Sequence, residues 1–245
     1  MAPTIFETIE LHEGRAVALD RHLDRLAVGA GRLGVSLPAR STLTRAAAEV
    51  VAAWGTSPGR LRITVRGQGA PGARTTVHAA PMAVRTDPVD VVVAASVHDE
   101  RGPTSGIKTA ACAAQVVALQ RAARAGAAEA LFANTRGELC EGASCNVVVH
   151  LGGTWCTPPL GSGCLPGITR ELLLESARGG PDEIVERTVA MADLAKVDEL
   201  LLVSTGRHLQ PVRALEGRRL PRVDSPAAVR LRTLLRRHRL ELRDR

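Results

Sequence analysis

The hydrophobic pattern along the chain changes period several times, and each change marks an element. Residues 4–18, "TIFETIELHEGRAVA", alternate apolar and polar positions on both sides of Glu13-Gly14. Alternation with a central turn pair predicts two strands of a hairpin. In the following stretch, "DRHLDRLAVGAGRLGV", Leu23, Leu26, Ala30 and Leu33 recur at helical spacing, and Asp20 is the expected N-cap. "STLTRAAAEVVAAWG" predicts a second helix that opens at Ser41 or Thr42 and stops at Gly55. "RLRITVRG", "RTTVHAAPM" and "VDVVVAASV" return to strand patterns separated by Gly and Pro. The order so far is β-β-α-α-β-β-β.

"HDERGPTSGI" has the composition of a linker. "KTAACAAQVVALQRAARAG" then predicts an Ala-rich helix ending at Gly126. Strands follow through "EALFANTRGELCEGASCNVVVHLGGTWCTP", with tight turns at Asn134–Gly137 and Gly152-Gly153. "LPGITRELLLESARGG" opens a helix after Pro166-Gly167. "DEIVERTV" is a strand, and "MADLAKVDELLLVSTGRHLQPV" is a short helix, a buried strand and a turn. In the tail, Leu231, Leu234, Leu235 and Leu240 predict an amphipathic helix with a solvated Arg face. The expected fold class is α+β in two domains: a small N-terminal domain over residues 1–100, a linker at 101–107, and a larger β-rich domain over 108–245 with a terminal helix.

Composition narrows the chemistry. With 245 residues the chain can bury a sizeable core, but it has only two Phe, two Trp and no Tyr. The core is therefore expected from Ala, Val and Leu, and no phenol is available for catalysis. The formal charge of +7 favours anionic partners. No basic stripe interleaved with aromatics points to nucleic acid. The five cysteines form no C-x-x-C pair, which argues against zinc or a disulfide framework, so no metal is expected. No apolar run is long enough for a bilayer, and the N-terminus has no signal-peptide pattern. A cytoplasmic protein is expected, with no nucleic-acid or membrane partner.

Only two of the basic residues are lysines, Lys108 and Lys196. An amine can lose its proton and attack a carbonyl, whereas a guanidinium stays charged. A lysine by itself is equally well a surface residue, and Lys196 in "LAKVDE" reads that way. Downstream of Lys108 stand Glu141 in "CEGASCN", a Pro-Gly helix start in "LPGITR", and a strand-end turn in "VSTGRH". A helix start presents unpaired N–H groups to an anion. Thr169 adds a hydroxyl there, and Arg25 on the first helix offers a fork for phosphate. An amine, a carboxylate, an anion-binding helix start and an Arg are what pyridoxal 5'-phosphate requires.

The order of "FETI", "HLDRL", the lysine, "EAL", "GELCEGASCN", "LPGITR" and "QPV" resembles the class IV fold of pyridoxal-phosphate enzymes. That family includes branched-chain and D-amino-acid aminotransferases and aminodeoxychorismate lyases. The resemblance implies that Lys108 carries the cofactor and shuttles the substrate proton, and that Glu141 pairs with the pyridine nitrogen. It also implies phosphate contacts from Arg25, Ile168, Thr169 and Thr205, packing of Leu165 on the ring, and a homodimer with its site in the cleft between domains. Thr8 in "FETI" stands where lyase-like members carry Thr, which puts a pyruvate-eliminating lyase first and an amino-acid transaminase second. Arg62, Arg66 and Arg207 are candidates for holding the substrate's carboxylates. A cofactor-free binding protein of the same fold is a third reading. Two departures are visible. The strand that usually precedes "FET", with its Gly-Asp-Gly turn, is missing, and Cys112 or Ala113 stands where members often have a Tyr near the cofactor.

Overall fold

A computed structural model describes residues 3–67 and 75–242, which pack as two compact units. The first comprises residues up to Val84, the segment Ile107–Ala111 and the chain from Arg239 onward. The second comprises Arg85–Gly106 and Cys112–His238.

In the first unit, β1 (Thr4–His12) turns into β2 (Arg15–Ala16) through Glu13 and Gly14, at φ 49° and 75°. Two successive positive φ values match the right-handed twist of a tight hairpin. Helices α1 (Leu19–Leu33) and α2 (Arg40–Trp54) follow, then β3 (Gly59–Arg66) and β4 (Thr75–Pro81). The antiparallel sheet has the order β2-β1-β3-β4. Ile5, Ile9, Leu61, Ile63 and Val65 pack with Leu23, Leu26 and Ala30 of α1 and with Leu43, Ala47 and Val51 of α2. The segment 107–111 runs beside the start of β1: the Phe6 N–H donates to the Lys108 carbonyl (3.0 Å) and the Ala110 N–H to Thr4 (2.8 Å).

The second unit contains β5 (Val89–Val93), α3 (Ala113–Arg124), β6 (Glu129–Ala133), β7 (Leu139–Gly142), β8 (Asn146–Leu151) and β9 (Thr154–Thr157). It continues with α4 (Ile168–Ala177), β10 (Ile184–Glu186), β11 (Glu199–Ser204), β12 (His208–Leu215) and β13 (Arg218–Arg219). Helix α5 (Pro226–Glu241) follows, its residues from Arg239 belonging to the first unit. The sheet order is β10-β9-β8-β11-β12-β5-β6-β7, with β13 on β12. Valines and leucines of β8, β11 and β12, including Val147, Val149, Leu200, Leu202 and Val212, form its main core.

Most elements fall where the hydrophobic pattern places them, and the two-unit α+β architecture is the expected one. Several details differ. The helix expected from Lys108 starts at Ala113, because residues 107–111 spend their backbone bonds on β1. The strand 89–93, expected in the N-terminal domain, lies parallel between β12 and β6 in the second unit. Residues 101–106 pack within the second unit, where the Ser105 hydroxyl donates to the Gly163 carbonyl (3.2 Å). Asp20 does not cap α1; it lies in the first turn and accepts from Arg40 at 2.6 Å. Helix α2 opens one residue before Ser41, at Arg40. On α5 the buried face is Ala228, Leu231 and Leu235, while Leu240 is exposed.

Candidate active site

In the first unit the even-numbered residues of β1 point away from its core. Phe6 and Thr8 are half-buried on that side. Lys108 Nζ lies 4.7 Å from the centre of the Phe6 ring, and the Arg62 guanidinium stacks on the same ring at 3.8 Å. Thr8 is directly opposite Arg62 in the β1–β3 register. The unit therefore brings Lys108 and Arg62 to one phenyl ring, with Thr8 opposite Arg62 on the neighbouring strand. Arg66, at the exposed end of β3 opposite Thr4, is two registers further along.

Arg25 belongs to an arrangement that the sequence reading missed. Glu7 sits in step with Ile5 and Ile9, so its carboxylate enters the apolar core under α1. Arg25 Nε and Nη2 donate to its two oxygens at 2.9 and 2.6 Å, and His22 Nδ1 lies 2.7 Å from Oε2. Burial by itself would raise the Glu7 pKa; the Arg25 charge and the bonds from His22 and Arg25 overcome it and hold the carboxyl at about 2. Burial pushes the His22 pKa down despite its bond to Glu7, and the charges of Arg25 and Lys108 act in the same direction. This favours the neutral ring, with the proton on Nδ1 facing the carboxylate. A guanidinium has five N–H donors, and Glu7 takes two of them. The signals were present in the sequence: a carboxylate in step with core isoleucines, and His and Arg three apart on one helix face.

In the second unit Glu141 is the penultimate residue of β7, half-buried. Its Oε2 accepts from the Leu165 N–H (2.9 Å) and from Asn146 Nδ2 (3.4 Å), and the same amide donates to the Leu165 carbonyl (2.9 Å). Asn146 thus clamps the carboxylate and the chain entering α4 together. It packs so closely on Gly167 that a Cβ there would lie 1.9 Å from its Oδ1. Helix α4 starts with Ile168 and Thr169 buried and without a side-chain cap. A buried helix start leaves N–H donors and the positive dipole end in need of an anion. Thr205 lies half-buried in the turn after β11.

Arg207 is 4% exposed, and Nη2 donates to Glu129 Oε2 (3.1 Å) and the Ala128 carbonyl (3.3 Å), while Nη1 donates to Gln210. Its guanidinium is thus engaged inside the unit. Lys196 is exposed and pairs with Asp193 (2.9 Å), as a surface lysine should. Cys112 is half-buried, the other four cysteines are buried, and all five are free thiols. Among the described residues no helix is long and apolar enough to cross a membrane.

The family model described as amino-transferase class IV matches residues 4–215. The chain belongs to this family. It is 32% identical, over 89% of its length and 83% of the relative's, to a Mycobacterium tuberculosis protein named bifunctional aminodeoxychorismate lyase / D-amino acid transaminase. A solved structure of a hypothetical M. tuberculosis aminotransferase in its PLP-bound form superposes with a TM-score of 0.88 at 28% identity, covering 98% of this chain and 90% of that one. A putative 4-amino-4-deoxychorismate lyase from Legionella pneumophila shares the fold, with a TM-score of 0.90 at 20% identity over 97% and 91% of the two chains. Membership of the class IV aminotransferases makes this chain a pyridoxal-phosphate-dependent enzyme, as its motifs imply. The residues present fit that cofactor. The second unit supplies an uncapped, buried helix start suited to a phosphate and a carboxylate already oriented by Leu165 and Asn146.

Proposed function

We propose that this class IV enzyme is an aminodeoxychorismate lyase-like catalyst that eliminates pyruvate and leaves 4-aminobenzoate, a step of folate biosynthesis. The observation that carries this reading is the 32% identity to a relative whose name joins that lyase activity with D-amino acid transamination. Thr8 opposite Arg62, beside the ring that Lys108 touches, supports it from the geometry.

When bound, pyridoxal phosphate supplies an electron sink for the pair released as the substrate's C–H bond breaks. The chain's own groups do the rest. Lys108 Nζ holds the cofactor and then takes and returns the substrate proton. Glu141 holds a proton on the ring nitrogen, since a nearby negative charge favours the protonated form. Ile168 and Thr169 at the start of α4, together with Thr205 and Arg25, bind the phosphate, and Leu165 packs on the ring. Arg62 and Arg66 hold the carboxylates of an anionic substrate bearing an amino group, with Thr8 positioning that substrate. The working form is a homodimer in the cytoplasm.

Transamination is the second reading. The hypothetical M. tuberculosis aminotransferase, 28% identical, is also solved in an alpha-ketoglutarate and PMP bound form. One experiment separates the two. The cofactor-loaded chain is incubated with aminodeoxychorismate, and pyruvate and 4-aminobenzoate are measured together. Equimolar release supports the lyase. No release, with amino-group exchange between D- or branched-chain amino acids and a 2-oxo acid, replaces it by the transaminase.

A further inference from the structure

One cluster of polar groups that the proposed function leaves unused is centred on Glu129, the first residue of β6. Its side chain is wholly buried. Oε1 accepts from the Ala130 N–H (3.0 Å). Oε2 accepts from the Ser144 hydroxyl, from Cys145 Sγ (3.5 Å) and from Arg207 Nη2 (3.1 Å). Arg207 is held in turn by Gln210, whose Nε2 donates to the Asp87 carbonyl at 2.8 Å. Ser144 and Cys145 belong to the turn between β7 and β8, and Arg207 to the turn between β11 and β12. Each turn also closes on itself, with the Gly142 N–H on the Cys145 carbonyl (2.8 Å) and the Arg207 N–H on the Ser204 carbonyl (3.1 Å).

We infer that Glu129 and Arg207 are positioning residues, a buried strut that fixes the spacing of turns 142–145 and 204–207 and thereby the retention of the cofactor. This rests on the reading of Glu141 and Thr205 as cofactor ligands. Glu141 and Asn146 flank the first turn, and Thr205 lies in the second. A buried ion pair contributes little net stability compared with apolar filling. What it adds here is direction: each bond to the carboxylate has a preferred length and angle, whereas an apolar plug would let the turns slide. Burial and the Glu129 charge both push the Cys145 thiol pKa up, so its S–H remains in place as a donor.

The test is equilibrium dialysis of the loaded, full-length chain against falling concentrations of pyridoxal phosphate. The variants are Glu129→Gln and Ser144→Ala, each alone and combined with Thr205→Ala, with melting temperature and circular dichroism recorded beside retention. The strut predicts that Glu129→Gln weakens retention by about tenfold, and that the two factors for Glu129→Gln and Thr205→Ala do not multiply, because contacts in one network couple. Ser144→Ala, which loses one hydrogen bond, weakens retention by about threefold with a melting temperature lowered by no more than about 4 °C. If Glu129→Gln does not fold, the Ser144→Ala result decides. A lowered melting temperature with unchanged retention would overturn the inference, as would factors that simply multiply. If the wild-type chain itself retains no cofactor, the assignment of Glu141 and Thr205 falls, and the strut falls with it.

Discussion

Arg25 pairs with Glu7 in the structure and is proposed to bind phosphate as well, and a single substitution confounds the two. The proposed function uses it for phosphate, yet it also neutralises a carboxylate that is 1% exposed. Removing one partner of a buried pair leaves an uncompensated charge and costs about 3–5 kcal/mol. Arg25→Ala is therefore expected to lose that much stability in urea unfolding as well as cofactor affinity. Adding Glu7→Gln should restore part of the stability, since no buried carboxylate is then left unpaired, but none of the affinity. Recovery of both together would show that Arg25 acts only through the fold. Nothing in "HLDRL" read as a motif distinguishes the phosphate role from the pairing; the distinction comes from Glu7 standing in step with Ile5 and Ile9.

At the scale of elements, α4 and β8 are coupled through the contact of Gly167 with Asn146. Gly167→Ala places a methyl 1.9 Å from the Asn146 carbonyl oxygen, so the amide that orients Glu141 must move. Overpacking of this kind costs about 1–3 kcal/mol, and cofactor affinity should fall with it. Gly161→Ala, where an added methyl meets nothing within 4 Å, should change neither. Equal unfolding midpoints and cofactor titrations for the two variants would contradict the coupling. The Pro-Gly helix start was legible because it is a local signal, as were the hairpin at Glu13-Gly14 and the strand alternation around it. The sheet that residues 89–93 join was not legible. A short apolar strand fits either sheet, and only long-range pairing with β12 and β6 selects one. The extended run at 107–111 was hidden for a related reason: an Ala-rich sequence favours helix, and hydrogen bonding to β1 overrides that preference. The pairing of Arg207 inside the unit was hidden for the same reason, because its partner Glu129 lies far away in sequence.

For the whole molecule, the Glu7–His22 pair sets an acid limit on stability. Both groups have folded-state pKa values below their ordinary ones, so the unfolded chain binds more protons than the folded chain as pH falls. The His22 contribution is complete above its ordinary value of 6.5 and is lost as pH drops below it. The Glu7 contribution is complete above 4.5 and is lost as pH falls toward about 2. Each proton taken up preferentially by the unfolded chain removes about 1.4 kcal/mol per pH unit. Between pH 6.5 and 5.5, His22→Gln should therefore show a shallower loss of unfolding free energy than wild type by up to about that slope. Identical slopes would mean that His22 is not held neutral. The proposed chemistry turns on one lysine. The loaded protein is reduced with borohydride, digested, and the modified peptide identified by mass spectrometry. The predicted result is loss of the visible cofactor band and a phosphopyridoxyl group on the peptide carrying Lys108. The same group on Lys196, or on no lysine, would contradict it.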